Sequence, residues 1–148
     1  MTQPLAGPIA LHWAPEGSLH HVGFVVSSIQ DTVRGFAESI GAQWDEKIFH
    51  DPNQGVNVTF LQTAQSADPL TELIEPASEN SPVLPFLKRG GGLHHLCFVV
   101  DSLEKQLELC RSRGTLVVRA PLPAVAFAGR RIAWVYTKQK LLIEYLER

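Results

Sequence analysis

The sequence predicts an α+β fold in which one strand–helix–strand unit occurs twice and both copies join a single curved sheet. The first observation is a repeat: Leu19–Val26 reads LHHVGFVV, and Leu93–Val100 reads LHHLCFVV. The second is that a helical pattern and further strand patterns follow each copy. The third is composition, because 148 residues with 45% hydrophobic and 19% charged residues describe one compact unit or two small modules that share a core.

Composition and charge exclude several classes of function. The formal net charge is −2 at pH 7, and the chain has no lysine- or arginine-rich cluster of the kind that binds nucleic acid. No segment has the length and apolarity of a membrane span, and the beginning of the chain lacks the features of a signal peptide. We therefore expect a cytoplasmic protein with no nucleic-acid and no membrane partner. Cys97 and Cys110 lack CxxC spacing and are expected to be reduced core residues.

Three segments organise the chain. Residues 1–17 are proline-rich and are expected to form an irregular N-terminal arm. Residues 18–89 are expected to form the first module with a short linker helix, which Ser81 would cap and Pro82 would begin. Residues 90–148 are expected to form the second module.

The elements of the first module follow from periodicity. Alternation predicts a strand at Leu19–Val26 with His21 on one face and His20 on the other. Apolar residues at helical spacing then predict a helix between Ser27–Ser28 and Gly41. Two more strand patterns follow, at Val56–Gln62 and Leu70–Glu75.

The second module repeats this order. A strand is expected from Leu93, followed by a helix between about Ser102 and Gly114. The remaining strand patterns are Leu116–Arg119, Arg131–Thr137 and Leu141–Leu146. His95 has the same place in its strand as His21 in the first module. If the helices cover the outer face of the sheet, both histidines lie on the inner face, where the two modules meet.

Two histidines and two glutamates stand at matching places in the two copies. Glu72 and Glu144 each lie between two aliphatic residues on one face of a strand, where a carboxylate is costly to bury without a cation. The histidines could instead be packed core residues, and Lys88, Arg89, Arg130 and Arg131 could pair with the glutamates. Taken together, the four residues suit a divalent metal with open positions better than a closed structural zinc site.

Six segments in a fixed order carry a family resemblance. They are HHVGFVV, QGVNVTFL, ELIEP, NSPVLPFL, GGGLHHLCFVV and LLIEYL. In this order they resemble the vicinal oxygen chelate superfamily and, within it, the methylmalonyl-CoA epimerase and glyoxalase-like families. The resemblance implies two tandem βαβββ modules that form one curved sheet around a shared metal cavity. It implies that His21, Glu72, His95 and Glu144 bind a divalent metal ion, one of Co, Ni, Mn, Zn or Mg.

The chain departs from the epimerase pattern at three places. Val58 stands where some epimerases carry a second carboxylate, and VYTKQKLLIEYL lacks the usual His-Pro and glycine-rich loop before the last strand. Arg130 and Arg131 are expected beside the cavity, as a solvated pair or as ligands of a substrate carboxylate or CoA phosphate. Gln54 is expected either to contact substrate at the cavity rim or to be an ordinary turn residue.

These residues suit an isomerase that removes a proton next to a thioester or ketone carbonyl, with a metal acting as Lewis acid on the enolate. The resemblance places a proton-transferring glutamate at Glu144, and Glu72 is its counterpart for the opposite face of the substrate. We expect a small-molecule substrate, with an acyl-CoA as the first candidate. A homodimer is one candidate assembly.

Three alternatives remain. A glyoxalase I-type lactoylglutathione lyase would use the same metal set and enediolate chemistry. A non-catalytic protein that binds an antibiotic would keep the cavity, but the presence of all four ligands counts against it. A dioxygenase would normally have two histidines and one carboxylate.

Overall fold

A computed structural model describes Ile9, Leu11 and residues 14–148. The first half comprises β1 (Leu19–Val25), α1 (Ile29–Ile40), β2 (Ala42–Trp44), β3 (Phe49–Asp51), β4 (Val56–Thr63) and β5 (Leu70–Pro76). A linker helix, α2 (Leu84–Lys88), follows. The second half comprises β6 (Gly92–Val100), α3 (Leu103–Ser112), β7 (Leu116–Pro123), a 3-10 turn (Val125–Phe127), β8 (Arg131–Tyr136) and β9 (Leu142–Glu147).

The same local devices begin the two long helices. Ser28 and Ser102 each accept a backbone N–H of the first helical turn with their hydroxyl oxygen. Glu75 and Glu147, near the ends of β5 and β9, accept the first backbone N–H of α1 and α3 at 2.7 and 3.0 Å. A carboxylate is favoured at this end of the helix dipole. Each helix is thereby tied to the last strand of its own half.

All nine strands of the described chain join one mixed sheet in the order β2-β4-β5-β1-β6-β9-β8-β7, with β3 paired to β4. The central strands β1 and β6 are antiparallel to each other. Each is also parallel to the last strand of its own half, β1 to β5 and β6 to β9. The strands that carry Glu72 and Glu144 therefore flank the two that carry His21 and His95.

Both long helices cover the same face of the sheet. Ile29 and Val33 of α1 pack with residues of β4 and β5, whereas Leu103 and Leu107 of α3 pack with residues of β8. The opposite face holds the third core cluster, which includes Val56, Phe60, Ile74, Phe127, Ile132 and Leu146. Ile9 and Leu11 of the predicted N-terminal arm are buried in this cluster, whereas the arm's residues 1–8, 10, 12 and 13 lie outside the described residues.

The structure confirms the α+β class and the curved mixed sheet, with two differences from expectation. The first half contains two strands that no pattern located, β2 and β3, and at three residues each they are too short to show alternation. The linker helix begins at Leu84 with Pro85 in its first turn, rather than at Pro82, and Ser81 does not cap it. Cys97 and Cys110 are buried free thiols, as expected. None of the helices in the described segments combines the length and apolarity that a membrane crossing requires.

Candidate active site

Two β-bulges decide which way the paired histidines point. In the pairing of β1 with β6, His20 is an extra residue of β1, and His94 is an extra residue of β6. A bulge interrupts the alternation of side chains between the two faces of a sheet. Both His20 and His21 consequently contact the Phe127 ring, with centroids 5.4 and 5.8 Å away. The prediction that His20 lies on the face opposite His21 is therefore wrong.

The structure brings the four predicted ligand residues to one point. The Nε2 atom of His21 lies 3.1 Å from Nε2 of His95 and 3.0 Å from Oε2 of Glu72. The same atom lies 3.4 Å from Oε1 of Glu144. All four side chains are buried, with at most 5% of any residue exposed. One residue from each of β1, β5, β6 and β9 contributes, so each half of the chain supplies one histidine and one glutamate.

Burial of these groups perturbs their protonation. Burial, with the nearby Glu72 carboxylate, raises the pKa of Glu144 to about 7, although His21 opposes the rise. Burial holds the pKa of His95 well below its ordinary value, and His21 and His94 add to this effect. Burial would also lower the pKa of His21, but the Glu72 and Glu144 carboxylates outweigh it and raise that pKa. The two buried carboxylates thus favour a positive charge at His21.

The donor atoms fit a divalent cation. His21, His95 and Glu144 offer ligand atoms that all lie within 4.8 Å of one another, and Glu72 adds a second carboxylate at His21. Oε1 of Glu144 is buried and accepts no hydrogen bond from the described residues. Two imidazoles with two carboxylates form a mixed nitrogen and oxygen set that suits first-row divalent metals. A second close group contains His20, His21 and Cys97, and Cys97 is paired with Glu144 in the register of β6 and β9.

A cavity of about 510 Å³ lies beside this cluster, and Glu72 and Glu144 form part of its wall. Residues of both halves line it, and they are mainly apolar. They include Val56, Val58, Ile74, Phe127, Ile132 and Leu142. This volume is in the range of small-molecule sites. Val58, at the position where some epimerases carry a carboxylate, contributes only apolar surface.

A hydrogen-bonded turn forms one side of the cavity. Asp51 accepts the backbone N–H groups of Asn53 and Gln54 through Oδ1, and that of Val125 through Oδ2. Arg119 of β7 donates to Oε1 of Gln54 at 3.1 Å and to the Asn53 carbonyl at 2.9 Å. These bonds orient the Gln54 side chain, which lines the cavity. Its amide nitrogen is buried and has no hydrogen-bond partner among the described residues. Gln54 is thus both a turn residue and part of the cavity lining, and its contact with substrate stays a prediction.

The positions of Arg130 and Arg131 correct the expectation that they lie beside the cavity. Neither lines it. Arg131 is on the helix-covered face of β8 and forms ion pairs with Glu104 and Glu147 at 2.8 and 2.9 Å. Arg130 donates to the backbone carbonyls of Glu147 and Leu11. Alternation along β8 explains the position of Arg131, because its neighbour Ile132 faces the cavity.

Sequence reasoning missed several residues that the structure brings to the site. Arg119 is one, and no local signal distinguishes it because its partner Gln54 is 65 positions away. Trp134 lines the cavity with a buried indole N–H that has no partner among the described residues. His94 also lines the cavity and contacts Trp134, with ring centroids 6.2 Å apart. The doubled histidine motif could have revealed His94, since both residues of each pair recur.

Comparisons with known proteins agree with this architecture. The chain is 31% identical over 132 residues to the uncharacterized protein YqjC of Bacillus subtilis, with 87% of this chain and 91% of that protein covered. It is 25% identical over 124 residues to the ethylmalonyl-CoA/methylmalonyl-CoA epimerase of Cereibacter sphaeroides, with 82% and 90% covered. The crystal structure of methylmalonyl-CoA epimerase from Mycobacterium tuberculosis matches with a TM-score of 0.76 and 27% identity over 91% of each chain.

A family model also matches most of the chain. The model for the Glyoxalase/Bleomycin resistance protein/Dioxygenase superfamily matches residues 20–134, which include both paired-histidine motifs and Glu72. The superfamily resemblance and the similarity to methylmalonyl-CoA epimerases that the sequence motifs indicated are confirmed. The chain belongs to the Glyoxalase/Bleomycin resistance protein/Dioxygenase superfamily.

Proposed function

We propose that the protein is a divalent-metal-dependent isomerase that removes the proton next to the thioester carbonyl of an acyl-CoA and returns it to the opposite face. The observation that carries this proposal is the pair of buried carboxylates, Glu72 and Glu144, in the wall of one cavity beside His21. Similarity to proteins named as methylmalonyl-CoA epimerases supports the acyl-CoA as the substrate class.

His21, Glu72, His95 and Glu144 would hold the cation. When bound, a divalent metal supplies Lewis acidity that favours negative charge on a carbonyl oxygen of the substrate. The four side chains are supplied by β1, β5, β6 and β9, which are adjacent in the middle of the sheet. Central strands are a rigid platform, so the protein holds the site with little freedom for the carboxylates to move.

Glu144 is the proposed base. Its Oε1 accepts no hydrogen bond from the described residues. Burial raises the pKa of this carboxyl to about 7 in the metal-free protein, and a carboxylate positioned at the substrate can act as a general base. Cys97 is paired with Glu144 in the register of β6 and β9, and burial with the nearby Glu144 carboxylate raises the pKa of its thiol, so the thiol keeps its proton.

Glu72 is the proposed partner that serves the opposite face of the substrate. Epimerisation requires that a proton leave one face and arrive at the other, so two groups from different sides of the cavity are needed. Asp51 also lines the cavity, but its carboxylate accepts three backbone N–H groups and is committed to holding the turn. Val58 has no acid or base group. Glu72 and Glu144, one from each half, are therefore the carboxylates of the described cavity wall that remain for proton transfer.

Gln54 and Trp134 are the proposed polar contacts to substrate. Each has a buried N–H group in a cavity-lining side chain without a partner in the described chain. A buried donor without an acceptor costs roughly 1–3 kcal/mol, and a carbonyl or carboxylate oxygen of the substrate would satisfy it. The apolar wall would accommodate a branched acyl chain.

Exchange of the substrate α-proton in D2O tests the proposal. Metal-loaded protein would be incubated with short 2-methyl-branched acyl-CoA thioesters, and deuterium at the α-carbon would be followed by NMR. The test variant is Glu144→Gln. The matched control is Glu108→Gln, because Glu108 is exposed on α3. We expect exchange by the wild type and Glu108→Gln, and little by Glu144→Gln.

Two results would overturn the proposal. Absence of exchange with every thioester, combined with turnover of a glutathione thiohemiacetal, would show the glyoxalase I-type lyase instead. Binding of a small molecule without exchange or turnover would show a non-catalytic binding protein. Metal analysis of the same samples would establish whether either outcome reflects missing metal.

A further inference from the structure

In each histidine pair, the bulge brings the Nδ1 atoms of the two rings into contact with each other. Nδ1 of His20 lies 2.8 Å from Nδ1 of His21, and Nδ1 of His94 lies 2.9 Å from Nδ1 of His95. In regular strands, adjacent side chains point to opposite faces and could not make this contact. The contact occurs twice at equivalent places, in strands from different halves of the chain.

A hydrogen bond between two Nδ1 atoms requires a proton on one ring and a bare nitrogen on the other. His21 and His95 direct Nε2 into the cluster, where these atoms lie 3.1 Å apart. A neutral histidine that binds a metal through Nε2 carries its proton on Nδ1. The outer ring of each pair must then be the acceptor, with its own proton on Nε2.

We propose that His20 and His94 are positioning residues that accept the Nδ1–H of His21 and His95 and so fix the tautomer in which each ligand presents a bare Nε2 to a divalent cation. This inference rests on the metal site of the proposed function. Partners of this kind typically change metal affinity 10- to 100-fold when removed. Each doubled histidine thus consists of one metal ligand and one positioning residue that accepts its hydrogen bond.

Packing holds both positioning residues in place. The His20 ring contacts Phe127 edge-on, at 5.4 Å between centroids. The His94 ring contacts Phe86 edge-on at 4.9 Å. Packing alone is the rival explanation for both histidines, and it makes a different prediction for a polar replacement that keeps the acceptor.

Binding of Co²⁺ to the metal-free full chain tests the proposal. The variants are His20→Ala, His94→Ala, His20→Asn and His94→Asn, because Oδ1 of asparagine can accept a hydrogen bond near the place of Nδ1. His50→Ala is the matched control, since His50 is an exposed histidine of β3 that bonds to Asn57. Affinity would be measured by chelator competition, and ligand geometry by the visible spectrum of bound Co²⁺.

We expect about 10- to 100-fold weaker binding and an altered spectrum in both alanine variants. The asparagine variants should recover most of the affinity, and His50→Ala should match the wild type. His94 is only half-buried, so His94→Ala decides the result if His20→Ala fails to fold. Wild-type affinity and spectrum in His94→Ala would overturn the inference, as would folded asparagine variants no better than alanine. Failure of the wild type to bind Co²⁺ would overturn the metal site itself, and the inference with it.

Discussion

The two halves of the molecule use the same histidine pair in different surroundings. His20 is 8% exposed and lies against Phe127. His94 is half-buried and lines the cavity, where it contacts Trp134. The predicted ligands His21 and His95 therefore occupy equivalent places in the two halves, whereas the surroundings of His20 and His94 differ. The cavity for the substrate lies on the side of His94, so the repeat is symmetric at the ligand cluster but not at the cavity.

A second difference lies where the repeated strands diverge in sequence. Gly23 pairs with His95, and a Cβ atom at Gly23 would lie 2.2 Å from Cε1 of that ring. The equivalent residue of the second half is Cys97, which pairs with His21 and leaves room for it. Cys97 is also paired with Glu144 on the neighbouring strand β9. The glycine makes space for one predicted ligand, and the cysteine lies beside two others.

The comparison of Glu144 with Glu72 gives the largest expected effect. Glu144→Gln should lower α-proton exchange by about 10²- to 10⁴-fold, because glutamine keeps an oxygen for the cation but cannot accept a proton near neutral pH. Glu72→Gln should cause a milder loss, because its amide oxygen can still bind the cation and Glu144 remains as the base. Exchange rates should be measured at saturating metal. A larger loss in Glu72→Gln would move the base to the first half of the chain.

Gly23→Ala should remove the space that Gly23 leaves for the His95 ring. The added methyl group must displace the His95 ring, so we expect at least tenfold weaker metal binding and a loss of about 1–3 kcal/mol in the free energy of unfolding. Chelator competition and urea unfolding would measure the two effects. Gly35→Ala is the control, because Gly35 lies in α1 with open space around it. That change should stabilise the protein by about 0.5–1 kcal/mol. Unaltered metal affinity in Gly23→Ala would mean that His95 is not a ligand.

These differences mark what could be predicted from the sequence. The cluster of His21, Glu72, His95 and Glu144 could be predicted because duplication and strand alternation are visible in the sequence. Alternation also predicted correctly that Glu72 shares a face with Leu70 and Ile74, both of which pack in the cavity-side core.

Strand register and contacts between residues far apart in the chain could not be predicted from the sequence. A bulge depends on how two strands pair, so the repeated sequence alone placed His20 on the wrong face. The same limit explains the arginines: Arg131 faces α3, and Arg119 reaches the cavity only because β7 brings it to the turn at Gln54. Composition could not reveal either contact.

The raised pKa of Glu144 predicts a pH dependence of metal affinity. Below about pH 7 the buried carboxyl of the metal-free protein keeps its proton, so a cation must displace it. The apparent affinity should therefore rise by up to about tenfold per pH unit as pH increases toward 7, and level off above it. Calorimetric titrations with Co²⁺ from pH 6 to 8 would measure this. Glu144→Gln should flatten the dependence, and the same slope in wild type and variant would assign the proton to another group.

The arginine that joins the two halves gives the smallest expected effect. Arg119 of the second half orients Gln54 of the first, so Arg119→Ala should let the Gln54 amide rotate and weaken its contact with substrate. A hydrogen bond contributes about 0.5–1.5 kcal/mol, which corresponds to a two- to tenfold rise in KM with kcat little changed. Arg131→Ala is the matched control, because its partners Glu104 and Glu147 lie on the helix side of the sheet. Steady-state kinetics would separate the two variants. If Arg131→Ala raised KM as much as Arg119→Ala, the bridge to Gln54 would not be what positions the substrate.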